Sequence, residues 1–438
     1  MKGLFFYTFS LLGFPIKNAL KNFSQLEKLS DEEIKIFREK KKWEIFNYHL
    51  KHNSFYRNFI GDRQIERWQD IPIIRKQNMQ SPIQERLSDE FINKKMHISH
   101  TSGSTGVPMY FAKDKYAHAV TWADIYRMYG WHGVNINRDL QARFYGVPTS
   151  LLAYISEKMK DMLLHRVRFN VSESNDSILE KNLQKFKSHK FGYINGYSRS
   201  LTTFAKYLLK RKILLKEICP TLKCVIVTSG ILTHEDRGYM QKAFGVKIIN
   251  EYGASEIGII ALENQENQWL ISDDVVYVEL VDDNGKLITD GKTQGHLLIT
   301  ALYNQAMPFV RYEIGDIGII DNKSHPRFHV LKQLIGRNND YMILKDGSHV
   351  SIVIIEHAIK HILQDNYALK EYIIRQYSPL LFEFEFVSDE EISHKDQDLA
   401  QKIMNEKLGY SVEFKFKKVT YIERTNSWKL RYFERKFN

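Results

Sequence analysis

The stretch His100-Thr101-Ser102-Gly103-Ser104-Thr105-Gly106-Val107-Pro108 contains only hydroxyl-bearing residues and glycines between Thr101 and Gly106. None of these side chains is apolar, so the segment has little to bury in a core. Glycine lets backbone N–H groups turn toward one point, and Ser and Thr hydroxyls add donors around it. The pattern is typical of a phosphate-binding loop, although no Lys follows Gly106 as in a Walker loop. The alternative is a flexible Ser/Gly surface linker.

Strands and helices alternate around and after this loop. Alternating apolar residues predict strands at 96–99 and 109–111, so the loop would connect two strands. Further apolar runs predict strands at 143–146, 191–196, 222–228 and 246–250, separated by helical patterns at 116–129, 198–212 and 233–244. Such alternation predicts a parallel sheet with helices on its faces. Ligands bind beyond the carboxyl ends of such strands, where Ser229, Gly230 and residues 251–256 lie.

The segments before the loop and after residue 269 show other patterns of secondary structure. Residues 30–60 read as helical, with Ser30 as the N-cap. After residue 269, strands at 275–281 and 295–300 with the turn signal Asn284-Gly285 predict an antiparallel sheet or small barrel that closes the large domain. The polar segment 334–340 would mark a domain boundary, followed by about 100 residues of a small α+β domain.

Four further short motifs follow the loop: Glu251-Tyr252-Gly253-Ala254-Ser255-Glu256, Arg311-Tyr312-Glu313-Ile314-Gly315-Asp316, Gly336-Arg337-Asn338-Asn339-Asp340 and Arg424-Thr425-Asn426-Ser427-Trp428-Lys429. In this order and near this spacing, the five motifs resemble the adenylate-forming (acyl-CoA synthetase-like) superfamily. The branch they resemble is that of phenylacetate-CoA ligase and capsular polysaccharide biosynthesis. The resemblance extends from about residue 50 to the C-terminus.

The resemblance implies an α/β fold in two domains. Residues 1–336 would form a large N-terminal adenylating domain of parallel αβ sheets plus a small β-barrel-like subdomain, beginning with an apolar N-terminal helix at 1–20. Residues 337–438 would form a small mobile C-terminal α+β lid domain.

The implied activity is ATP-dependent adenylation of a carboxylic acid to acyl-AMP, followed by acyl transfer to CoA. ATP, Mg²⁺ and CoA are the implied cofactors. One alternative passes the acyl group to an amine, a hydroxyl or a carrier in surface polysaccharide tailoring. Another is a non-catalytic, membrane-associated descendant of the fold. The retained Glu256, Asp316, Arg337 and Lys429 speak against the second alternative.

The implied roles divide the site residues into two groups. Glu256 and Lys429 would be catalytic, because a hard cation bridging phosphates prefers carboxylate oxygen and a lysine on a moving lid can neutralise the transition state. The residues implied in nucleotide binding are Thr101, Ser102, Gly103, Ser104, Thr105, Gly106, Tyr252, Gly253, Ser255, Asp316, Arg337, Ser229 and Gly230.

Individual nucleotide contacts follow from the same resemblance. Tyr252 would lie against adenine, Asp316 would accept from the ribose hydroxyls, and Arg337 would reach ribose or phosphate. The alternatives without a role in binding are a tyrosine packed in the core for Tyr252, a turn residue for Asp316 and a solvent-exposed arginine for Arg337. Tyr145 and Tyr197 would line the acyl pocket, with core packing as the alternative.

The chain departs from the family pattern at four positions. Ile314 replaces the usual Thr, Asn339 replaces a charged hinge residue, and Trp428 replaces the Gly before Lys429. Ile231 stands where this branch commonly has Glu. These departures put the hinge charge and the backbone geometry before Lys429 in doubt.

Composition restricts the classes of partner. The 63 Lys and Arg against 52 Asp and Glu give a formal charge of +11, but no long basic block supports nucleic-acid binding. Only Cys219 and Cys224 are present, which favours a reducing cytoplasm over a disulfide framework. Residues 3–16 form an uncharged, aromatic-rich run. It is too short to span a bilayer, because a transmembrane helix needs about 20 apolar residues. This run predicts a helix packed on the main domain or, alternatively, a peripheral contact with the inner face of the membrane.

Overall fold

The computed structural model describes residues 4–101, 109–146, 151–171, 176–230, 232–337, 341–352 and 371–422, together with 355, 363, 367, 369 and 433–437. Ser102, Gly103, Ser104, Thr105, Gly106, Ile231, Asn339, Trp428 and Lys429 therefore lie outside the described residues, as does the side chain of Arg337.

The N-terminal residues form four consecutive helices: α1 (Leu4–Leu11), α2 (Ile16–Leu26), α3 (Asp31–His52) and α4 (Ser54–Ile60). The Ser30 side chain accepts from the Glu33 N–H, and the Glu33 carboxylate accepts from the Ser30 N–H, which confirms the predicted N-cap. The helical structure predicted over 30–60 is confirmed but divides into two helices, because Asn53 is extended and its side chain caps α4 by accepting from the Tyr56 N–H. One residue thus ends a helix and begins the next.

The chain then reaches a two-stranded hairpin of β1 (His97–His100) and β2 (Tyr110–Lys113). One short helix, α5 (Ile83–Arg86), and three 3₁₀ segments at 68–70, 76–79 and 89–91 precede this hairpin. Asp114 caps the following helix, α6 (Lys115–Gly130), by accepting from the N–H groups of Tyr116 and Ala117. The predicted strands on both sides of the hydroxyl- and glycine-rich loop are confirmed within one or two residues.

The strands of the large domain form one eleven-stranded sheet in the order β10-β11-β12-β13-β9-β8-β7-β6-β5-β3-β4. Its strands are β3 (Leu140–Phe144), β4 (Arg166–Phe169), β5 (Phe191–Tyr197), β6 (Cys224–Thr228), β7 (Lys247–Ala254), β8 (Gly258–Glu263), β9 (Trp269–Ile271), β10 (Val276–Val281), β11 (Gly295–Ala301), β12 (Tyr312–Asp321) and β13 (Val330–Arg337). Strands β4, β3, β5, β6 and β7 are parallel, and the pairs from β7 to β10 are antiparallel.

The antiparallel sheet predicted after residue 269 is confirmed, whereas the alternative of a small barrel is not: these strands belong to the one large sheet. The antiparallel strands continue from the parallel half, because β8 pairs with β7 rather than closing on strands of its own. A mixed sheet of this size buries its two faces under helices and loops.

The two faces of the parallel half carry separate cores. Side chains such as Ile194, Val225 and Ile248 pack with α8 (Asp176–Ser188), α9 (Ser198–Lys210) and α11 (His234–Phe244). Their neighbours Ile226 and Ile249 point to the other face and pack with α6 and the N-terminal helices. This alternation follows from the two-residue period of a strand. Helices α7 (Leu151–Leu163) and α10 (Leu215–Ile218) complete the connections.

The C-terminal residues contain a third core around a four-stranded sheet in the order β18-β17-β16-β19. Its elements are β16 (Glu371–Ser378), β17 (Leu381–Val387), α12 (His394–Leu408), β18 (Glu413–Lys418) and β19 (Phe433–Arg435), preceded by the hairpin β14 (Tyr341–Ile343) and β15 (His349–Ser351). The predicted boundary segment 334–340 begins inside a strand, since β13 continues to Arg337. A domain boundary after residue 336 and lid motion stay predictions.

Candidate functional site

The hairpin of β1 and β2 closes the base of the predicted phosphate loop. The Thr101 N–H donates to the Met109 carbonyl at 2.9 Å, and the Met109 N–H donates to Thr101 Oγ1 at 3.1 Å. Thr101 is thereby held at the neck of the loop, with its hydroxyl used by the backbone. The loop residues from Ser102 to Gly106 lie outside the described part of the chain.

Tyr252 and Asp316 bring two of the motifs together. The Tyr252 hydroxyl donates to Asp316 Oδ2 at 2.6 Å, although the residues are 64 positions apart. Both side chains are buried, with exposed fractions of 7% and 5%. A buried hydrogen bond to a carboxylate fixes the direction in which its other oxygen points. Asp316 also lies opposite Arg337 in the register of β12 and β13.

Glu256 lies next to a second tyrosine from the same strand as Asp316. The Tyr312 hydroxyl donates to Glu256 Oε1 at 3.4 Å, and both residues are buried. Glu256 follows β7 in the turn to β8. The strand ends β7 and β12 therefore present Tyr252, Glu256, Tyr312 and Asp316 in one region.

Lys113 links this region to the hairpin, and the sequence reasoning did not identify it. Its Nζ donates to the Ile257 carbonyl at 2.9 Å and to Thr121 Oγ1 at 3.3 Å. Burial lowers the pKa of Lys113 to about 8, and the nearby Glu256 carboxylate acts in the opposite direction. The lysine thus fastens the last residue of β2 to the turn that carries Glu256. From the sequence alone, a lysine at the end of a short strand does not indicate a contact with a turn more than 140 residues away.

The described residues fit a metal ion only if the ion arrives with a polyphosphate. Among the described residues, no group of three or more His, Cys, Asp or Glu side chains could hold a metal. Glu256 offers one carboxylate, whereas Mg²⁺ is usually bound by one or two carboxylates plus phosphate oxygens and water. The donor set is therefore compatible with a nucleotide-bound metal and not with a protein-only cage.

Two glycine-containing turns shape the edge of the sheet. A Cβ on Gly253 would lie 2.5 Å from the Gly258 carbonyl oxygen, so the close approach of β7 and β8 requires glycine there. At the end of β6, Ser229 has φ 54° and Gly230 has φ 140°, which turns the chain away beyond the strand. Ser255 is exposed in the turn before Glu256. These residues lie at the strand ends that the sequence predicted.

A row of polar side chains crosses the parallel strands near their carboxyl ends. The Tyr129 hydroxyl of α6 donates to Glu251 Oε2 at 2.5 Å, and Asn195 Nδ2 lies 3.5 Å from the same hydroxyl. Burial raises the pKa of Glu251. On β3, the Arg143 guanidinium lies 3.7 Å from the Tyr145 ring centroid. The signal that could have revealed this row is the alternation of polar residues within otherwise apolar strands.

The tyrosines predicted to line an acyl pocket are adjacent. The ring centroids of Tyr145 and Tyr197 are 4.5 Å apart, at the ends of neighbouring strands β3 and β5. A cavity of about 480 Å³ lies elsewhere and shares no residue with this region; it is lined by Glu27, Arg127, Trp131, Asn264, Gln265, Glu266, Leu270, Arg327 and Phe328.

The chain is similar to known proteins in sequence and in fold, although no protein-family model matches it. It is 23% identical over 343 residues to Protein CapK of Staphylococcus aureus, covering 74% of this chain and 72% of that protein. It is 24% identical over 339 residues to a phenylacetate-coenzyme A ligase of Thermus thermophilus, covering 73% of this chain and 74% of the ligase.

Among solved structures, 2-hydroxyisobutyryl-CoA ligase in the postadenylation state, in complex with R3-HIB-AMP, matches with a TM-score of 0.66 at 16% identity. The match covers 92% of this chain and 89% of that one. The two chains therefore share one fold over nearly their whole length.

Proposed function

We propose that this chain is an adenylate-forming enzyme of the branch of CapK and the phenylacetate-CoA ligases, and that it activates a carboxylic acid with ATP and passes the acyl group to coenzyme A. In the first step a carboxylate oxygen attacks the α-phosphorus and pyrophosphate leaves, giving acyl-AMP. In the second, the thiol sulfur attacks the acyl carbon and AMP leaves. Catalysis of both steps is largely alignment and neutralisation of charge.

The observation that supports this function best is the hydrogen bond from Tyr252 to Asp316. It unites two motifs that are distant in sequence and fixes a buried carboxylate beside the end of β7. A fixed acceptor at the edge of a sheet is suited to a ribose hydroxyl. Lys113 connects the same region to the hairpin of the phosphate loop, so nucleoside and phosphate positions would be held by one framework.

The proposed roles of the remaining residues follow the motifs. Ser102, Ser104 and Thr105 with the loop N–H groups would bind the β- and γ-phosphates, and Tyr252 would border the adenine. Bound Mg²⁺ would neutralise phosphate charge, with Glu256 as its protein ligand. Arg337 would approach the ribose or a phosphate, opposite Asp316 in the strand register. Lys429 would neutralise the transition state for adenylation.

The acyl acceptor defines the alternative. An amine, a hydroxyl or a carrier could take the acyl group from the same acyl-AMP, as in tailoring of a surface polysaccharide. Pyrophosphate release from ATP and Mg²⁺ with a panel of aryl, fatty, hydroxy and amino acids tests the first step. Acceleration by CoA would support the thioester; acid-dependent release unaffected by CoA would favour another acceptor. No release with any acid, while ATP still binds, would contradict adenylation and leave a non-catalytic descendant.

Lys429 can be tested separately. We expect Lys429→Ala to reduce the adenylation rate at least tenfold, about 1.4 kcal/mol of transition-state stabilisation, with ATP affinity nearly unchanged. Lys415→Ala, at an exposed position of β18, is the matched control. Unchanged turnover in Lys429→Ala would remove this lysine from the mechanism.

We also propose a cytoplasmic location with a peripheral membrane contact. Phe5 and Phe9 of α1 are buried, which agrees with a packed helix. The opposite face of α1 is exposed, and α1 contacts α7. The exposed apolar residues of α7 recur every three to four residues, so they lie on one side of that helix. We call these side chains the α1–α7 apolar surface: Tyr7, Leu11, Leu12, Leu152, Ile155, Met159 and Met162. Lys158 and Lys160 on α7 are exposed beside it, and their charge is complementary to anionic lipid. No helix among the described residues is long and apolar enough to cross a bilayer.

Vesicle cosedimentation tests this contact. We expect binding to vesicles containing phosphatidylglycerol, and loss of it in the double variant Leu11→Ser with Leu152→Ser. Leu380→Ser, at an exposed leucine of the C-terminal sheet, is the control. Failure of the wild-type chain to bind anionic vesicles would contradict the proposal.

A further inference from the structure

The carboxyl ends of four parallel strands carry polar side chains on one face. In the strand register, Arg143 lies opposite Asn195, which lies opposite Ile226, which lies opposite Ile249. Two residues further along each strand, on the same face, stand Tyr145, Tyr197, Thr228 and Glu251. This face is apolar toward the other ends of the strands, where Tyr193 and Cys224 join the core. The change from apolar to hydrogen-bonding side chains occurs where ligands bind in sheets of this kind.

One of the arginines around this polar row has no ion-pair partner among the described carboxylates. Three arginines lie on the adjacent strands β3 and β4, namely Arg143, Arg166 and Arg168. Arg166 pairs with Asp161, and Arg168 pairs with Asp161 at 2.9 Å and with Glu157 at 2.6 Å. Arg143 forms no ion pair with a described carboxylate, and its buried Nε has no hydrogen-bond partner within the described part of the chain. A half-buried guanidinium without a counter-ion is costly unless a ligand supplies one.

The carboxylate of this row, Glu251, accepts from the hydroxyls of Tyr129 and Thr228 and forms no ion pair with Arg143. Burial raises the pKa of Glu251, and the charge of Arg143 acts in the opposite direction. The face of the Arg143 guanidinium rests on the Tyr145 ring, which leaves the guanidinium edge for hydrogen bonds in its own plane. A carboxylate or phosphoryl group is the partner that matches such an edge.

We propose that the acid activated by this chain carries a second anionic group, and that Arg143 binds it beside Tyr145 and Tyr197. This inference rests on the proposed adenylating function, and it names the class of acid as one with an additional carboxylate or phosphoryl group. An aryl or fatty acid without such a group would leave Arg143 unpaired. Specificity then comes from the cost of leaving a buried polar group without a partner.

The test compares matched acids in the pyrophosphate assay. Butanedioate is paired with butanoate, and benzene-1,4-dicarboxylate with benzoate; 3-phosphoglycerate paired with glycerate distinguishes a phosphoryl from a carboxylate source. We expect kcat/KM of the wild type to be at least tenfold higher for the acid with the second anionic group. Arg143→Met is expected to remove at least tenfold of that preference and to leave the singly charged acids within twofold. Arg143→Lys should retain part of it.

Two controls keep the outcomes distinct. Arg138→Met removes an exposed arginine at the other end of β3 and should keep the preference. Thermal stabilisation by the doubly anionic acids without ATP reports binding by a folded chain, and Arg143→Met should abolish it. A wild-type preference for the singly charged acids, or an equal loss for both acids of a pair in Arg143→Met, would overturn the inference and leave adenylation intact. If no acid causes pyrophosphate release, the proposed function is rejected. A thermal shift that depends on Arg143 would in that case still support the anion site.

Discussion

Single polar atoms hold the motif segments of this chain in contact. The Tyr252 hydroxyl orients Asp316, the Tyr312 hydroxyl reaches Glu256, and the Lys113 amine holds the turn after Glu256. Each of these groups is buried, so removing it takes one hydrogen bond from a buried partner. Effects on stability and on nucleotide binding should therefore appear together.

Replacing Tyr252 with Phe tests the first of these contacts. The ring is retained, while the buried Asp316 carboxylate loses a donor at a cost of about 1–3 kcal/mol. We expect KM for ATP to rise about tenfold and the melting temperature to fall by a few degrees. Tyr377→Phe, which removes an exposed hydroxyl bonded to Glu383, is the control. An unchanged KM for ATP would show that the hydroxyl does not orient Asp316 for the nucleotide.

Gly253 gives a steric prediction. An added Cβ would lie 2.5 Å from the Gly258 carbonyl oxygen, which is backbone and cannot move aside alone. We expect Gly253→Ala to lower pyrophosphate release at least tenfold and to reduce the melting temperature, because the turn carrying Glu256 must shift. Gly238→Ala in α11 has open space around the new Cβ and should stabilise the chain by about 0.5–1 kcal/mol. Equal effects of both substitutions would contradict this reasoning.

Among the elements, the hairpin of β1 and β2 depends on its contact with α6. The His97 ring of β1 stacks on the His118 ring of α6 with centroids 4.0 Å apart. Burial lowers the pKa of His97 to about 4 and that of His118 to about 2, with Lys113 as a further cause for both. Both rings are therefore neutral in the folded chain at neutral pH. Protonation would place two cations beside the buried amine of Lys113 and loosen the base of the predicted phosphate loop.

This pair predicts acid sensitivity with a definite sign. The folded chain binds fewer protons than the unfolded chain between the ordinary pKa of histidine, about 6.5, and the lowered folded value. Stability is thus fully present above pH 6.5 and falls as the pH decreases toward 4, by on the order of 1 kcal/mol per pH unit for each histidine.

We expect His97→Phe to keep the ring contact and to reduce the pH dependence of the free energy of unfolding, measured by urea denaturation at pH 7 and pH 5. His394→Phe, at an exposed position in α12, should leave that dependence unchanged. The same pH dependence in His97→Phe as in the wild type would exclude this histidine as a source of acid sensitivity.

Across the whole molecule, a buried ion-pair cluster joins distant parts of the chain. Asp274, which is fully buried, pairs with Arg38 of α3 at 2.8 Å and with Arg127 of α6 at 2.6 Å. Arg38 also donates to the Arg327 carbonyl at 2.6 Å. The cluster connects the N-terminal helices, the helix after the hairpin and the antiparallel half of the sheet.

Removal of the shared carboxylate should destabilise the whole domain. Asp274→Ala leaves two buried guanidinium groups without their common partner, and such a loss typically costs about 3–5 kcal/mol. We expect a fall of this size in the free energy of unfolding in denaturant. Asp62→Ala, at an exposed residue after α4, is the control and should change stability little. A loss below 1 kcal/mol in Asp274→Ala would show that solvent or other groups compensate the arginines.

Local chemistry in the sequence determined most of the helices and strands and predicted where along the chain the candidate site lies. The cap at Ser30, the strands on both sides of the predicted phosphate loop and the alternation of strands and helices depend on nearby residues, and the motifs carry the resemblance to the adenylate-forming superfamily. The break at Asn53 was missed because the helical pattern continues on both sides of it, and only the backbone conformation separates α3 from α4.

Long-range pairing was decided by the tertiary structure alone. Nothing within 251–256 specifies that β8 extends the sheet by pairing antiparallel with β7. Nor does this segment specify that Tyr252 contacts Asp316, which lies 64 residues away in the sequence. Lys113 and Arg143 look like ordinary charged residues in the sequence. Burial places Lys113 against the turn after Glu256, and among the described residues it leaves the Arg143 Nε without a hydrogen-bond partner. The physical reason is that hydrogen bonds and charges act through space, so their partners are set by how the strands align and not by their order in the chain.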